Sequence, residues 1–307
     1  MAVLVGHISM KSNIWKLVIL AVIWIPSLLS NLVHAATSPI EINNSDKLSL
    51  ESSLFKNEFD FTIYFRIETL IQNRLYKDSG QKNLLDYLGL SVGIDAYYRS
   101  FFIESNKRFY QNSQSSTIGY RLVDKTKYQL DILLGQGYLS YLEQNAGNVY
   151  REEPSEALAG IDNRDRDFNQ GLRFTQFHGN KAWWIDVAGD LLKYSHGGWL
   201  FDSYYSQIYQ VKNWEVQIGF GATYFSRKMV NYHAGVKAHE VTDQRPLYDS
   251  GNGARISFDV SAQYPLSQRW VFITGAAFKK YSSEFSNSPL FKRSHQNSLN
   301  MSVMYVW

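Results

Sequence analysis

Leu299-Asn300-Met301-Ser302-Val303-Met304-Tyr305-Val306-Trp307 closes the chain with Leu299, Met301, Val303, Tyr305 and Trp307 at every second position. Period-two alternation gives a strand one face for lipid and one for a lumen. A terminal Trp ring then falls at a membrane interface, where amphipathic aromatics are favoured. The stretch predicts the closing strand of an outer-membrane β-barrel.

The same two-faced pattern recurs upstream. Phe59, Phe61, Ile63, Phe65 and Ile67 alternate with Asp60, Thr62, Tyr64, Arg66 and Glu68, and Leu88, Leu90, Val92 and Ile94 with Gly89, Ser91, Gly93 and Asp95. Tyr128, Leu130, Ile132 and Leu134 stand opposite Gln129, Asp131, Leu133 and Gly135. Val216 to Tyr224 and Ile256 to Tyr264 repeat the pattern against Glu215 to Thr223 and Ser257 to Gln263. Weaker segments lie near 101–109, 115–123, 167–177, 182–192, 198–211 and 269–281. With the final strand they predict an all-β, antiparallel transmembrane barrel of about twelve strands, an even number as bacterial barrels have.

Alternate connections are brief and polar or contain Gly, Asn or Pro: Tyr98 to Arg99, Asp124 to Lys127, Gly179 to Lys181, Lys212 to Asn213 and Pro265 to Gln268. These predict short periplasmic turns. The intervening connections, near 72–87, 110–114, 139–166, 194–197, 228–252 and 283–295, are mostly longer, as extracellular loops are. Pro39, Pro154, Pro246, Pro265 and Pro289 fall outside the expected strands, where a missing N–H breaks no ladder. Trp183, Trp214, Trp270 and Trp307 lie near the expected periplasmic side and Trp199 near an outer loop, the placement of an aromatic girdle.

Residues 1–35 carry Lys11 and Lys16, an apolar run from Leu17 to Leu29 and small residues at Ala35 and Ala36. This is the layout of a secretory signal peptide cut after Ala35, and the run falls short of the roughly 20 residues of a spanning helix. Initiation at Met10 gives the more typical charged leader. Residues 36–58 then form a periplasmic segment and 59–307 the barrel. The chain has no Cys, hence no lipid-anchoring cysteine and no disulfide framework. Aromatics at 15%, with 21 Tyr, 18 Phe and 8 Trp, suit strands and interfaces. A net charge of +3 gives no reason to expect nucleic acid.

In the last third, Tyr232-His233-Ala234-Gly235-Val236, Pro246-Leu247-Tyr248-Asp249-Ser250-Gly251, Tyr264-Pro265-Leu266-Ser267-Gln268-Arg269-Trp270 and Asn287-Ser288-Pro289-Leu290 follow one another. Asp186-Val187-Ala188-Gly189 precedes them, followed by His196-Gly197-Gly198-Trp199. This succession resembles the MipA/OmpV family of outer-membrane proteins, in which Y-x-G-V, Y-x-x-G, L-S-x-x-W and S-P-L/I recur in that order. Tyr232 stands one residue further from Gly235 than the first pattern asks. The resemblance implies an outer-membrane location in a Gram-negative bacterium, contact with membrane lipid and insertion by the barrel-assembly machinery. Some family members are scaffolds holding a lytic murein transglycosylase near a penicillin-binding protein, while others are linked to transport, adhesion or antibiotic response. It transfers no catalytic residue, so no enzyme, cofactor or metal site is expected.

Two polar groups bear on this expectation. Ser195 and His196 are adjacent, so on a strand they point to opposite faces and do not form a nucleophile–base dyad. His233, His239, Glu240 and Asp243 share the 228–252 connection but match no defined metal spacing, and read as a solvated polar loop. The inward positions carry more information. Arg66, Glu68, Asp95, Arg121, Asp131, Arg173, Asp186, Glu215 and Asp259 are lumen-lining candidates of both signs, and require water or mutual ion pairs. A network that fills the lumen suits a scaffold; solvated charges suit a narrow pore for small solutes, and a surface adhesion protein is a third reading.

Overall fold

The computed structural model describes residues 59–73, 75–77, 87–105, 116–139, 158–162, 164–165 and 167–307. The expected leader and periplasmic segment, 1–35 and 36–58, lie outside them. Twelve antiparallel strands follow one another around a closed barrel. They are β1 (Asp60–Gln72), β2 (Leu88–Tyr98), β3 (Phe101–Ser105), β4 (Ser116–Lys125), β5 (Tyr128–Gln136) and β6 (Asn169–His178), then β7 (Lys181–Gly189), β8 (Trp199–Val211), β9 (Trp214–Phe225), β10 (Gly253–Pro265), β11 (Trp270–Tyr281) and β12 (His295–Val306). The C-terminal strand closes the ring on the first, with Phe65 opposite Tyr305, Ile67 opposite Val303 and Ile71 opposite Leu299. Directly paired residues point the same way, so the alternation of β12 continues that of β1.

Burial follows parity. Phe61, Phe65, Ile67, Leu90, Val92, Leu172, Val187, Phe201, Phe220, Ile256 and Phe258 face outward and are exposed, while Glu68, Asp95, Asp131, Asp186, Asp202 and Asp259 face inward and are buried. This inverts a soluble protein and matches a barrel whose outer wall is solvated by acyl chains. Aromatics gather at the short-turn rim, where Trp214 contacts Tyr264 and Phe272, Trp270 contacts Tyr305, and Trp307 contacts Phe61. Trp199 and Tyr224 form the counterpart at the other rim.

Arg99, Gly179 and Lys212 each open a two-residue turn with positive φ. That backbone matches the right-handed twist of the flanking strands. Pro265 is the last residue of β10 rather than the first of the turn, a position where the ladder needs no N–H. β7 stops at Gly189, short of the expected residue 192. The Asp190 carboxylate accepts hydrogen bonds from the backbone N–H groups of Tyr194, Ser195 and Gly197, which draws that segment off the ladder into a compact loop.

The β9–β10 connection is a solvated polar loop only in part: His239 and Asp243 are exposed, whereas His233 and Glu240 are buried. It forms helix α1 (Arg227–Ala234) and a 3₁₀ turn, Ala238–Glu240, while the β11–β12 connection carries the short helix α2 (Ser283–Ser286). Met229, Val230 and Ala234 of α1 pack with Leu158, Ile161, Phe285 and Leu290 from the loops, and with Ala188, Leu200, Phe225 and Tyr281 from the inner ends of the strands. The main apolar core therefore lies in the long-loop mouth of the barrel, where the loops form a plug.

Candidate functional site

The interior is organised as a row across the strands, set by register. Arg121 on β4 stands opposite Asp131 on β5, which stands opposite Arg173 on β6, and Arg173 opposite Asp186 on β7. The row continues through Asp202 on β8, Thr223 on β9 and Arg255 on β10. All seven side chains point inward and are buried. Arg121 donates from Nε to Asp131 Oδ1 at 2.9 Å and also approaches Glu104. Arg173 grips Asp186 with two bonds, Nε to Oδ1 at 2.8 Å and Nη2 to Oδ2 at 2.9 Å, a fork geometry lysine cannot reproduce. Thr223 donates to Asp202 at 2.6 Å and accepts from Arg255 Nη2 at 3.0 Å. Three arginines and three aspartates balance in charge, so the row itself carries no excess of either sign into the low-dielectric interior.

Tyr138, just beyond β5, joins row to plug. Its hydroxyl donates to Asp186 Oδ2 at 2.7 Å, and its carbonyl accepts from Arg255 Nη1 at 3.0 Å. Below the row, Tyr204 lies across the lumen and donates to the Asp259 carboxylate, 3.1 Å from Oδ2. Gly219 makes this possible: a Cβ there would sit 2.0 Å from the tyrosine oxygen.

The remaining lumen candidates are distributed around the wall. Asp95 accepts from the Tyr64 hydroxyl at 2.9 Å and from the Ser105 backbone N–H at 2.7 Å. Glu68 lies over Gly89 and accepts from Asn300 at 3.4 Å. Arg66 reaches the Met304 sulfur, and Glu215 accepts from Gln263 nearer the short-turn rim. Glu215, Gln263, Asp124 and Gln129 are half-buried, so the lumen is shallow and wetter on that side. Asp202 and Arg255 were missed in the sequence. Arg255 shares the inward parity of Ser257 and Asp259, and Asp202 lies on a strand whose weaker alternation concealed its face.

The plug is held by polar latches. Arg164 and Glu240 are both buried and paired, with Nη2 2.8 Å from Oε1, and Glu240 also accepts from the Lys237 and Asp162 N–H groups. These bonds and the guanidinium hold the Glu240 carboxyl below its ordinary value despite burial. Asp162 binds Lys237 at 2.7 Å and His239 at 2.9 Å, which lowers it to about 2. Asp162, His239 and Glu240 offer three ligand atoms within 4.8 Å of one another. Their donors are already committed to Lys237 and Arg164, so a metal ion would have to displace two cations.

Ser195 and His196 do not pair with one another. The Ser195 hydroxyl donates to Asp190 and His196 Nδ1 accepts from the Gly198 N–H. His233 is fully enclosed in α1, where burial holds its imidazole down at about 3 and hence neutral. Asp167 is enclosed as well and accepts from the Tyr138 and Leu139 N–H groups and from Asn169; burial nevertheless raises it to about 6.

The residues that carry the family resemblance build this apparatus. Val236 and Tyr248 pair in a two-way backbone bridge, the Tyr248 and Ser250 hydroxyls donate to the Glu284 carbonyl, and Ser288 donates to the Ala234 carbonyl. Gly198 lets the β7–β8 loop approach α1, since a Cβ there would lie 2.6 Å from Ser226 Oγ and 2.8 Å from the Met229 nitrogen. Asp186 belongs to the charged row, and Leu266 and Ser267 close the β10–β11 turn on the Trp270 carbonyl.

The family described as MltA-interacting protein MipA matches this chain over residues 69–307. Outer membrane protein Omp26La of Vibrio anguillarum is 23% identical over 194 residues, 63% of this chain and 72% of that protein. Outer membrane protein OmpV of Vibrio cholerae serotype O1 is 24% identical, also over 63% of this chain and 72% of that protein. Among solved structures, the outer membrane channel DcaP of Acinetobacter baumannii is similar at a TM-score of 0.38 and 8% identity, over 81% of this chain and 97% of that one. A twelve-stranded closed barrel with a lipid-facing wall, and a family match over most of its length, place this chain in the MltA-interacting protein MipA family of Gram-negative outer-membrane proteins.

Proposed function

We propose that the protein is a closed outer-membrane scaffold, presenting its periplasmic turns to a lytic murein transglycosylase and a penicillin-binding protein. The carrying observation is the charge-balanced row Arg121–Asp131–Arg173–Asp186–Asp202–Thr223–Arg255, tied through Tyr138 to the apolar plug in the long-loop mouth. A conducting pore keeps its wall charges solvated so that ions can enter and leave; here Arg121 and Arg173 are paired with Asp131 and Asp186. The family description, MltA-interacting protein, supports the first of the two enzyme partners. With the outer mouth filled by loops, the periplasmic rim and the half-buried vestibule inside it are the surfaces left to meet soluble enzymes. The barrel is then a membrane-fixed post that holds enzymes rather than acting as one.

The test pairs two measurements on the refolded chain. In a planar bilayer the native protein is expected to be electrically silent, while Asp131→Asn combined with Arg173→Ala opens flickering conductance. Immobilised in detergent, it is expected to retain a purified soluble murein transglycosylase. Steady conductance of the native protein together with no retention would overturn the scaffold reading in favour of a pore.

A further inference from the structure

The β7–β8 loop, residues 190–198, has two unlike sides. Asp190 and His196 turn inward and are buried, and Gly198 abuts α1. Leu191, Leu192 and Tyr194 turn outward and are 72%, 59% and 68% exposed, an unusual cost for a loop already anchored in an apolar core.

Three observations fix where that outer side points. The Leu191 N–H donates to Gln170 Oε1 at 3.0 Å, and Gln170 shares the outward parity of Leu172 and Phe174 on β6. The start of the loop therefore lies against the outward side of β6, beside the end of β7. The residues flanking it, Val187 on β7 and Trp199 on β8, both belong to the lipid-facing band. β7 has 9 residues, at the short end of the ~9–11 that a tilted strand needs to cross the hydrocarbon layer. By that length the end of β7 is expected at the outer boundary of the hydrocarbon, and Leu191 and Leu192 follow within three residues.

We propose that Leu191, Leu192 and Tyr194 form a lipid-inserted fin that extends the apolar band of the barrel into the outer leaflet. The leucines sit among acyl chains, the Tyr194 phenol lies at the interface, and the Lys193 ammonium extends on its flexible stem toward the headgroups. The Asp190 carboxylate makes the fin rigid by taking the Tyr194, Ser195 and Gly197 N–H groups and the Ser195 hydroxyl. Those bonds hold the carboxyl below its ordinary value. The occupant of this surface is membrane lipid; a second protein is the competing outcome.

The chain contains no Cys, so a single engineered thiol reports one position. Leu192→Cys, Val187→Cys and Leu247→Cys are each labelled with an environment-sensitive fluorophore and reconstituted in phosphatidylcholine vesicles with or without brominated acyl chains. Val187 lies in the band, and Leu247 is an exposed residue of the β9–β10 connection. The label at 192 is expected to behave as at 187, quenched by bromine and at least about threefold less sensitive to aqueous iodide than at 247. Iodide quenching equal to that at 247, without bromine quenching, overturns the proposal. Shielding from both quenchers also overturns it, because the fin is then covered by protein. Bromine quenching at 187 in the same vesicles shows that the barrel is inserted, so failure of the fin is distinguishable from failure of the barrel.

Discussion

At the scale of single residues, the interior depends on side chains that occupy space left by glycine. Tyr204 reaches Asp259 only because Gly219 lacks a Cβ, which would lie 2.0 Å from the Tyr204 oxygen and 2.7 Å from Asp259 Oδ2. Gly219→Ala is therefore expected to push Tyr204 aside and destabilise the barrel by about 1–3 kcal/mol. Gly251→Ala, whose Cβ would meet no atom nearer than 3.9 Å, is expected to change stability by less than about 0.5 kcal/mol. Urea unfolding in detergent micelles, followed by tryptophan fluorescence, compares the two. Equal midpoints would show that Tyr204 is free to relocate.

Among the elements, the charged row behaves as a unit because register places its members side by side. Arg173 stands between Asp131 and Asp186 and grips the latter, so removing it takes the guanidinium from the buried Asp186 carboxylate while Asp131 keeps Arg121. Arg173→Ala is expected to cost about 3–5 kcal/mol, the usual penalty for breaking a buried pair. Arg173→Ala with Asp186→Asn should recover part of that loss, since one stranded charge is then gone. The temperature at which the folded band converts to the unfolded band on a denaturing gel measures both. A double variant no more stable than the single would show that the pair is not coupled.

At the scale of the molecule, the plug carries carboxylates that respond to acid in opposite directions. Asp167 titrates near 6 in the fold against an ordinary 3.8. The folded state therefore takes up a proton that the unfolded chain does not, and stability rises by about 1 kcal/mol as pH falls from 7 to 5. Asp162 and Glu240 are held below their ordinary values. Their contribution is complete above pH ~5 and is lost as pH falls through ~4 toward ~2. Hydrogen exchange across 227–252 is expected to slow from pH 7 to 5, after correction for intrinsic rates, and to accelerate below 4. Asp167→Asn should abolish the first change and spare the second; a monotonic loosening in the native protein would refute the assignment.

The sequence by itself determined the architecture. A period of two is a local property of a strand, so β1, β2, β5, β9, β10 and β12 were legible residue by residue, and the alternation of short and long connections set which rim was which. It also placed charges of both signs on the inner face, because their parity opposed that of the exposed apolar residues. Only the tertiary structure decided that Arg121, Asp131, Arg173 and Asp186 form one row, since strand register depends on turns and bulges, including the register shifts between β4 and β5. It alone turned the 228–252 connection from an expected polar loop into a buried helix. His233 and Met229 become interior only when loops distant in sequence meet over Leu200 and Phe225. The end of β7 at Gly189, and with it the outward fin, followed from the Asp190 carboxylate competing with the ladder for backbone N–H groups, a choice settled by the surrounding packing rather than by the alternation of the strand.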